Sequence, residues 1–203
     1  QGLDETPKQR LVWMFDHAET ILGLSILYPV LNRLRLLPGF SAWSSNLVVD
    51  EAITKLLRAA KDRGDTILSA DYSGFDASVS YELLEVAFDL LKYWFAPVAD
   101  DLLSVLLDSF ATIPLVTPDG LFRERMGGVP SGSALTNLVD TLVNLVAGFY
   151  VSLRLGVKLV NYEVLGDDSV FVFHPSPGVS EVSDVLLELG LDSNPEKQFT
   201  SEE

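Results

Sequence analysis

Val164-Leu165-Gly166-Asp167-Asp168-Ser169-Val170 is the stretch on which the reading of this chain turns. Apolar residues dominate on both sides, at 157–165 and 169–173, and the Gly-Asp-Asp between them has the chemistry of a tight turn. Two short strands joined in this way make an antiparallel hairpin. Gly and Asp favour turns for backbone reasons alone, so a plain hairpin is one reading. The other is chemical. Adjacent side chains on a regular strand point to opposite faces, whereas a turn relaxes that rule and lets one Asp, or both, reach a single cation.

Working outward, residues 133–154 precede the hairpin as a long apolar helix, and residues 180–189 follow it as a shorter one stopped by Gly190. Upstream, Thr66-Ile67-Leu68-Ser69-Ala70-Asp71 reads as a short buried strand, and residues 78–95 and 100–110 as helices. Thr117-Pro118-Asp119-Gly120 signals a small hairpin between 113–116 and 121–125. Residues 49–63 form an amphipathic helix with Asp50 as its N-cap and Gly64 just past its end. Residues 11–37 are an apolar stretch interrupted by Pro29 and Pro38, read as a short strand and then a helix around 18–36. The order strand, helix, insertion, helix, strand, strand, helix implies an α+β fold, a ferredoxin-like antiparallel sheet backed by helices.

Three features carry chemistry. The first is the Asp167-Asp168 turn. The second is Asp71-Tyr72-Ser73-Gly74-Phe75-Asp76, where Asp71 ends an apolar strand and has no packing role, while Asp76 suits a helix N-cap equally well. The third is the 133–154 helix. At about 100° per residue, Ser133, Thr136, Asn137, Asp140 and Asn144 fall within about 100° of arc. A solvated face is the plain reading. Against it, this stripe holds no Lys, Arg or Glu, and short hydrogen-bonding groups suit a small polar ligand better than bulk water. Combined, these features gather Asp71, Asp167 and Asp168 around two Mg²⁺ ions, for which oxygen-only ligands are suited, with Mn²⁺ as the expected substitute. Two such ions about 3.5–4 Å apart activate a 3′-hydroxyl and stabilise a leaving pyrophosphate. That chemistry needs positioning and charge neutralisation more than a protein nucleophile. The chain agrees, with no Cys and two His, His17 and His174.

The 203 residues suffice for one large domain. The lack of Cys excludes a disulfide framework and a thiolate metal site. Net charge is −15, spread as +1 over residues 1–63 and −16 over residues 64–203, whereas a template groove should be basic. The longest apolar stretch, 135–153, carries Thr136, Asn137, Asp140 and Asn144, which are costly in lipid, so a buried helix and no membrane span is expected. Residues 1–10 hold no apolar signal-peptide core.

These residues resemble the conserved motifs of viral RNA-dependent RNA polymerases. Asp71-x4-Asp76 looks like motif A, Ser131-Gly132-x3-Thr136 like motif B, and Gly166-Asp167-Asp168 like motif C. Gly190-Leu191 through Asn194-Pro195-Glu196-Lys197 resembles motif D, and Pro7-Lys8-Gln9-Arg10-Leu11-Val12-Trp13 the end of motif F. Each is weak alone, and five in order are strong. The resemblance implies a right-hand polymerase palm with partial fingers. Residues 1–64 would be partial fingers, and residues 65–203 the palm, with a fingers insertion at about 96–130. It also implies site roles. Asp71 and Asp167 would bind metal with Asp168 beside them. Asp76, Ser131, Gly132, Thr136 and Asp140 would meet the ribose of the incoming nucleotide. Lys8 and Arg10 would hold its triphosphate, and Lys197 would protonate pyrophosphate. Many positive-strand virus polymerases carry Asn nine residues after the motif B serine. Here that position is Asp140, with Asn144 four later and counted among the nucleotide-binding residues, a pattern resembling picobirnavirus and partitivirus polymerases.

The implied reaction is template-directed transfer from NTPs to an RNA 3′-hydroxyl, replicating and transcribing a double-stranded RNA virus genome. RNA template, nascent RNA and NTPs are the expected partners. A viral capsid protein is a further one, and virion and host cytoplasm are the expected locations. A thumb is not evident, so residues 1–203 alone are expected to be inactive. Two other readings stay open. A reverse transcriptase shares the palm but typically shows Tyr-x-Asp-Asp, where this chain has Leu165-Gly166 before the aspartates. A catalytically dead palm-derived binding module would suit the acidic charge.

Overall fold

Asp16 opens the first helix by accepting the Glu19 backbone N–H at 2.8 Å, and α1 (His17–Leu34) runs on from it. The computed structural model describes residues 13–116, 122–123, 126–193 and 199–201. Of the strand expected near residue 11, the described part, 13–16, has no regular structure. Pro29 sits inside the helix, at the loss of one backbone hydrogen bond. Next, α2 (Asn46–Arg63) is capped by the Ser45 hydroxyl, not by Asp50, which lies in the second turn. Gly64 closes α2 in the left-handed conformation, φ +70°, as its position predicts.

β1 (Ile67–Ala70) is followed by the one-turn α3 (Phe75–Ser78) and by α4 (Tyr81–Lys92). The single helix expected from residue 78 is broken, because Val79 is extended and Ser80 caps α4 through the Leu83 N–H at 3.3 Å. Asp76 is accordingly a residue of α3 and caps neither helix. After α5 (Asp100–Thr112), β2 (Leu115–Val116) pairs antiparallel with β3 (Phe122–Arg123), the expected small hairpin. α6 (Thr136–Leu155) starts three residues later than the polar stripe suggested, because residues 130–135 are wound into turns on the Pro130 carbonyl. β4 (Lys158–Leu165), β5 (Asp168–His174), α7 (Val179–Glu188) and β6 (Phe199–Ser201) complete the chain, with Gly190 ending α7's run at φ +79°.

The sheet order is β4-β5-β1-β6 with every pairing antiparallel, as the α+β reading requires. Strand alternation divides β5 between two helical layers. Val172 packs with Leu56 and Ala60 of α2, while Phe171 and Phe173 join the main core with α4, α6 and α7. Gly148 of α6 lies under the Phe171 ring, where a Cβ would come within 2.6 Å. By length and composition α6 could cross a bilayer; in this fold it is a central core element, with Leu138, Val139, Val143, Ala147 and Val151 buried. The same core takes in Ile26, Val30 and Leu34 of α1. Between α1 and α2 the chain is tied to β4, where Glu163 Oε2 accepts the Ser41 N–H and hydroxyl at 3.0 and 2.7 Å.

Candidate active site

Ala70 stands opposite Ser169 in the β1–β5 ladder, so the next residue, Asp71, emerges beside Asp168 at the turn between β4 and β5. Strand register thus brings together carboxylates nearly a hundred residues apart in sequence. Asp71, Asp167 and Asp168 are all exposed there.

The turn itself is gripped from α6. Gly166 takes φ +60°, a conformation that favours glycine, and is buried. Its N–H donates to Thr141 Oγ1 at 2.8 Å, and its carbonyl accepts from Asn144 Nδ2 at 3.1 Å. Asn144 Oδ1 in turn accepts the Tyr72 hydroxyl at 2.9 Å, and Thr141 donates to the Asn137 carbonyl at 2.6 Å. Thr141 and Asn144 are both 0% exposed. Both ends of the Asn144 side-chain amide are thus engaged within the protein. Its amide sits behind the turn, joining Tyr72 after β1 to Gly166.

The electrostatics are those of crowded acids. Asp168 is raised above the usual carboxylate range, first by partial desolvation at the turn, then by the charges of Asp167 and Asp71. Asp140, 5% exposed, is pushed up to about 8, first by burial, then by Asp76 and Asp167. Its Oδ1 is buried and has no hydrogen-bond partner among the described residues. Burial also raises the Tyr72 phenol, and the Asp167 charge adds to it. Five carboxylates, at 71, 76, 140, 167 and 168, are therefore linked through their mutual repulsion. As they stand, no three acidic or imidazole side chains among the described residues are close enough to ligate one ion. The donor chemistry nevertheless fits a hard divalent cation, with oxygen ligands only, repulsion to relieve, and an orphaned buried carboxyl oxygen at Asp140.

Comparison with known proteins agrees with this geometry. The sequence pattern of the family described as "Viral RNA-dependent RNA polymerase" is matched over residues 3–202. The chain belongs to that family. It is 34% identical over 200 residues to the "Potential RNA-dependent RNA polymerase" of Human picobirnavirus, covering 97% of this chain and 37% of the relative. It is 31% identical over 174 residues to the "RNA-directed RNA polymerase" of Cryptosporidium parvum virus 1, covering 82% of this chain and 32% of the relative. The crystal structure of the RNA-dependent RNA polymerase of a human picobirnavirus superposes with a TM-score of 0.88 at 33% identity, covering 96% of this chain and 37% of that one. The chain thus spans about a third of the length of these relatives. The likeness to picobirnavirus polymerases expected from Asp140 and Asn144 is borne out. Polymerases of this family use divalent metal ions.

The remaining candidate site residues fall into three groups. Ser131 and Gly132 are exposed on the loop before α6. Thr136, the first residue of α6, donates its hydroxyl to the Pro130 carbonyl at 2.7 Å, and Asp76 in α3 is half-buried. Lys8, Arg10 and Lys197 lie outside the described residues. Thr141 and Tyr72 were missed by sequence reasoning. Thr141 lies four residues after Asn137 and three before Asn144, so the helical period that picked out the polar stripe pointed to it as well. Tyr72 carried no such signal, because its partner is 72 residues away.

Proposed function

We propose that this chain is the palm and adjoining fingers of an RNA-dependent RNA polymerase that transfers nucleotidyl groups from NTPs to an RNA 3′-hydroxyl. The observation that carries the reading is the register that sets Asp71 beside the Asp167-Asp168 turn. In this reading Asp71, Asp167 and Asp168 hold two Mg²⁺ ions, with Mn²⁺ able to replace them. When bound, the ions supply charge neutralisation at the attacking 3′-oxygen and the leaving pyrophosphate. The residues of the chain do the rest. Thr141 and Asn144 fix the Gly166 peptide and so the direction of the carboxylates that follow it. Asp140 is mostly protonated at neutral pH, given its position near 8. A protonated carboxyl offers one O–H donor and one carbonyl acceptor, the same pair as an asparagine amide. It can thus meet a ribose 2′-hydroxyl in place of the Asn usual at this position, alongside Asp76, Ser131 and Thr136. Lys8 and Arg10 are the proposed triphosphate contacts and Lys197 the proposed acid. The same reading gives RNA template and product strand as partners, a capsid protein as a further one, and virion and host cytoplasm as the place of action.

The test is RNA synthesis from NTPs and Mg²⁺ by the longest natural polypeptide carrying these residues. Asp167→Asn is expected to lower synthesis by at least about 10³-fold, because a carboxylate that would hold the divalent ions is removed. Synthesis at the wild-type rate in that variant would defeat the assignment.

A further inference from the structure

Glu19 occupies the third position of α1, where a glutamate ordinarily turns back to bond the N-cap amide of its own helix. Here it faces elsewhere. Its Oε1 accepts the Ser133 hydroxyl at 3.1 Å, across 114 residues of sequence. Its Oε2 is buried with no partner among the described residues, and the residue is 8% exposed. Burying a carboxyl in this way is costly. Packing alone gives no reason for it, since Ile26, Val30 and Leu34 already anchor α1 in the core.

What Glu19 touches is the turn that leads into α6. Ser133 Oγ also accepts the Leu135 N–H at 3.2 Å. The Pro130 carbonyl gathers the Gly132 N–H, the Ser133 N–H and the Thr136 hydroxyl at 2.8, 3.2 and 2.7 Å. Gly132 lies directly under the Trp13 carbonyl, and a Cβ there would overlap that oxygen. Residues 130–136 are thus wired internally and gripped from outside at two points, both supplied by the start of the chain.

We propose that Glu19 is a positioning residue for this turn, acting through Ser133 to hold Ser131 and the head of α6 where they receive the ribose of the incoming nucleotide. The proposal rests on the polymerase reading above. The test uses the longest natural polypeptide carrying these residues. Glu19→Ala and Ser133→Ala are each expected to raise the KM for NTPs and to lower the preference for NTP over 2′-deoxy-NTP by about five- to tenfold, with kcat changed by less than about twofold. Because both variants remove one shared contact, the double variant is expected to be no worse than either single one. Glu19→Gln keeps an acceptor oxygen at that place and is expected to restore most of the sugar preference. Unchanged sugar preference in the single variants, or fully additive losses in the double, overturns the role. Should Glu19→Ala fail to fold, Ser133→Ala decides the matter alone, since it removes a single hydroxyl. A wild-type protein that makes no RNA would sink the polymerase reading itself, so the two failures are told apart by the control.

Discussion

Asp140 is the residue whose chemistry has moved furthest from its ordinary state. Its carboxyl titrates near 8 instead of 3.8, chiefly through burial on α6 and then through Asp76 and Asp167. Between about pH 4 and 8 the folded protein therefore holds a proton there that the unfolded chain has already released. Folding stability is greatest below the unfolded value and falls as pH rises toward the folded one. Asp168, also raised, adds in the same direction. The expected outcome is a urea midpoint that declines from pH 5 to pH 8, and a shallower decline in Asp140→Asn, which cannot ionise. Identical pH profiles for the two proteins would show that Asp140 does not hold this proton. Sequence placed Asp140 on the right helix and in the right stripe. Its protonation state was not legible, because that depends on burial and on two carboxylates brought in from other elements.

Among the elements, α6 does the most to assemble the site. The polar stripe at Ser133, Thr136, Asn137, Asp140 and Asn144 was read as groups for a small polar ligand, and in the fold Asn144 of that stripe, together with Thr141, which the stripe did not include, holds the protein's own Gly166 peptide. The pattern was visible because hydrogen-bonding side chains recur at the helical period. Its target was not, since a peptide group and a bound molecule satisfy the same donors and acceptors. Thr141→Val keeps the shape and removes the oxygen, leaving the buried Gly166 N–H unsatisfied. This should cost about 1–3 kcal/mol in urea unfolding and should reduce RNA synthesis more than stability, because the turn carrying Asp167 loses one of its two holds. A variant with full stability and full synthesis would show that the Asn144 contact suffices. The start of α6 was misjudged for a similar reason. Ser133 falls on the polar face by angle, yet its hydroxyl goes to Leu135 and Glu19, a turn contact and a distant one that a helical wheel does not contain.

At the scale of the whole molecule, charge and layering set the behaviour. With a net charge of −15 and five carboxylates acting on one another around the turn, the chain should respond to cations in a specific way. Mg²⁺ at about ten times its dissociation constant is expected to raise Tm by about 3–6 °C, more than NaCl at equal ionic strength. In Asp167→Asn the excess over NaCl should vanish, as differential scanning fluorimetry would show. An equal response to both salts would mean general screening and no bound ion. Apart from the break between α3 and α4 and the strand β6, which it missed, the sequence by itself determined most of the elements and their order, the α+β class, the family, and the acids that carry the proposed chemistry. Those depend on residue types at short spacings, such as an apolar run ending at Asp71 or a Gly-Asp-Asp turn between two strands. Tertiary structure alone decided the strand order that puts Asp71 next to Asp168, the second helical layer formed by α2, and the destinations of Asn144, Tyr72 and Glu19. The physical reason is that a helix or strand follows from neighbours a few residues away, whereas a buried hydrogen-bonding group takes whichever partner the packed chain delivers, here 72 and 114 residues distant.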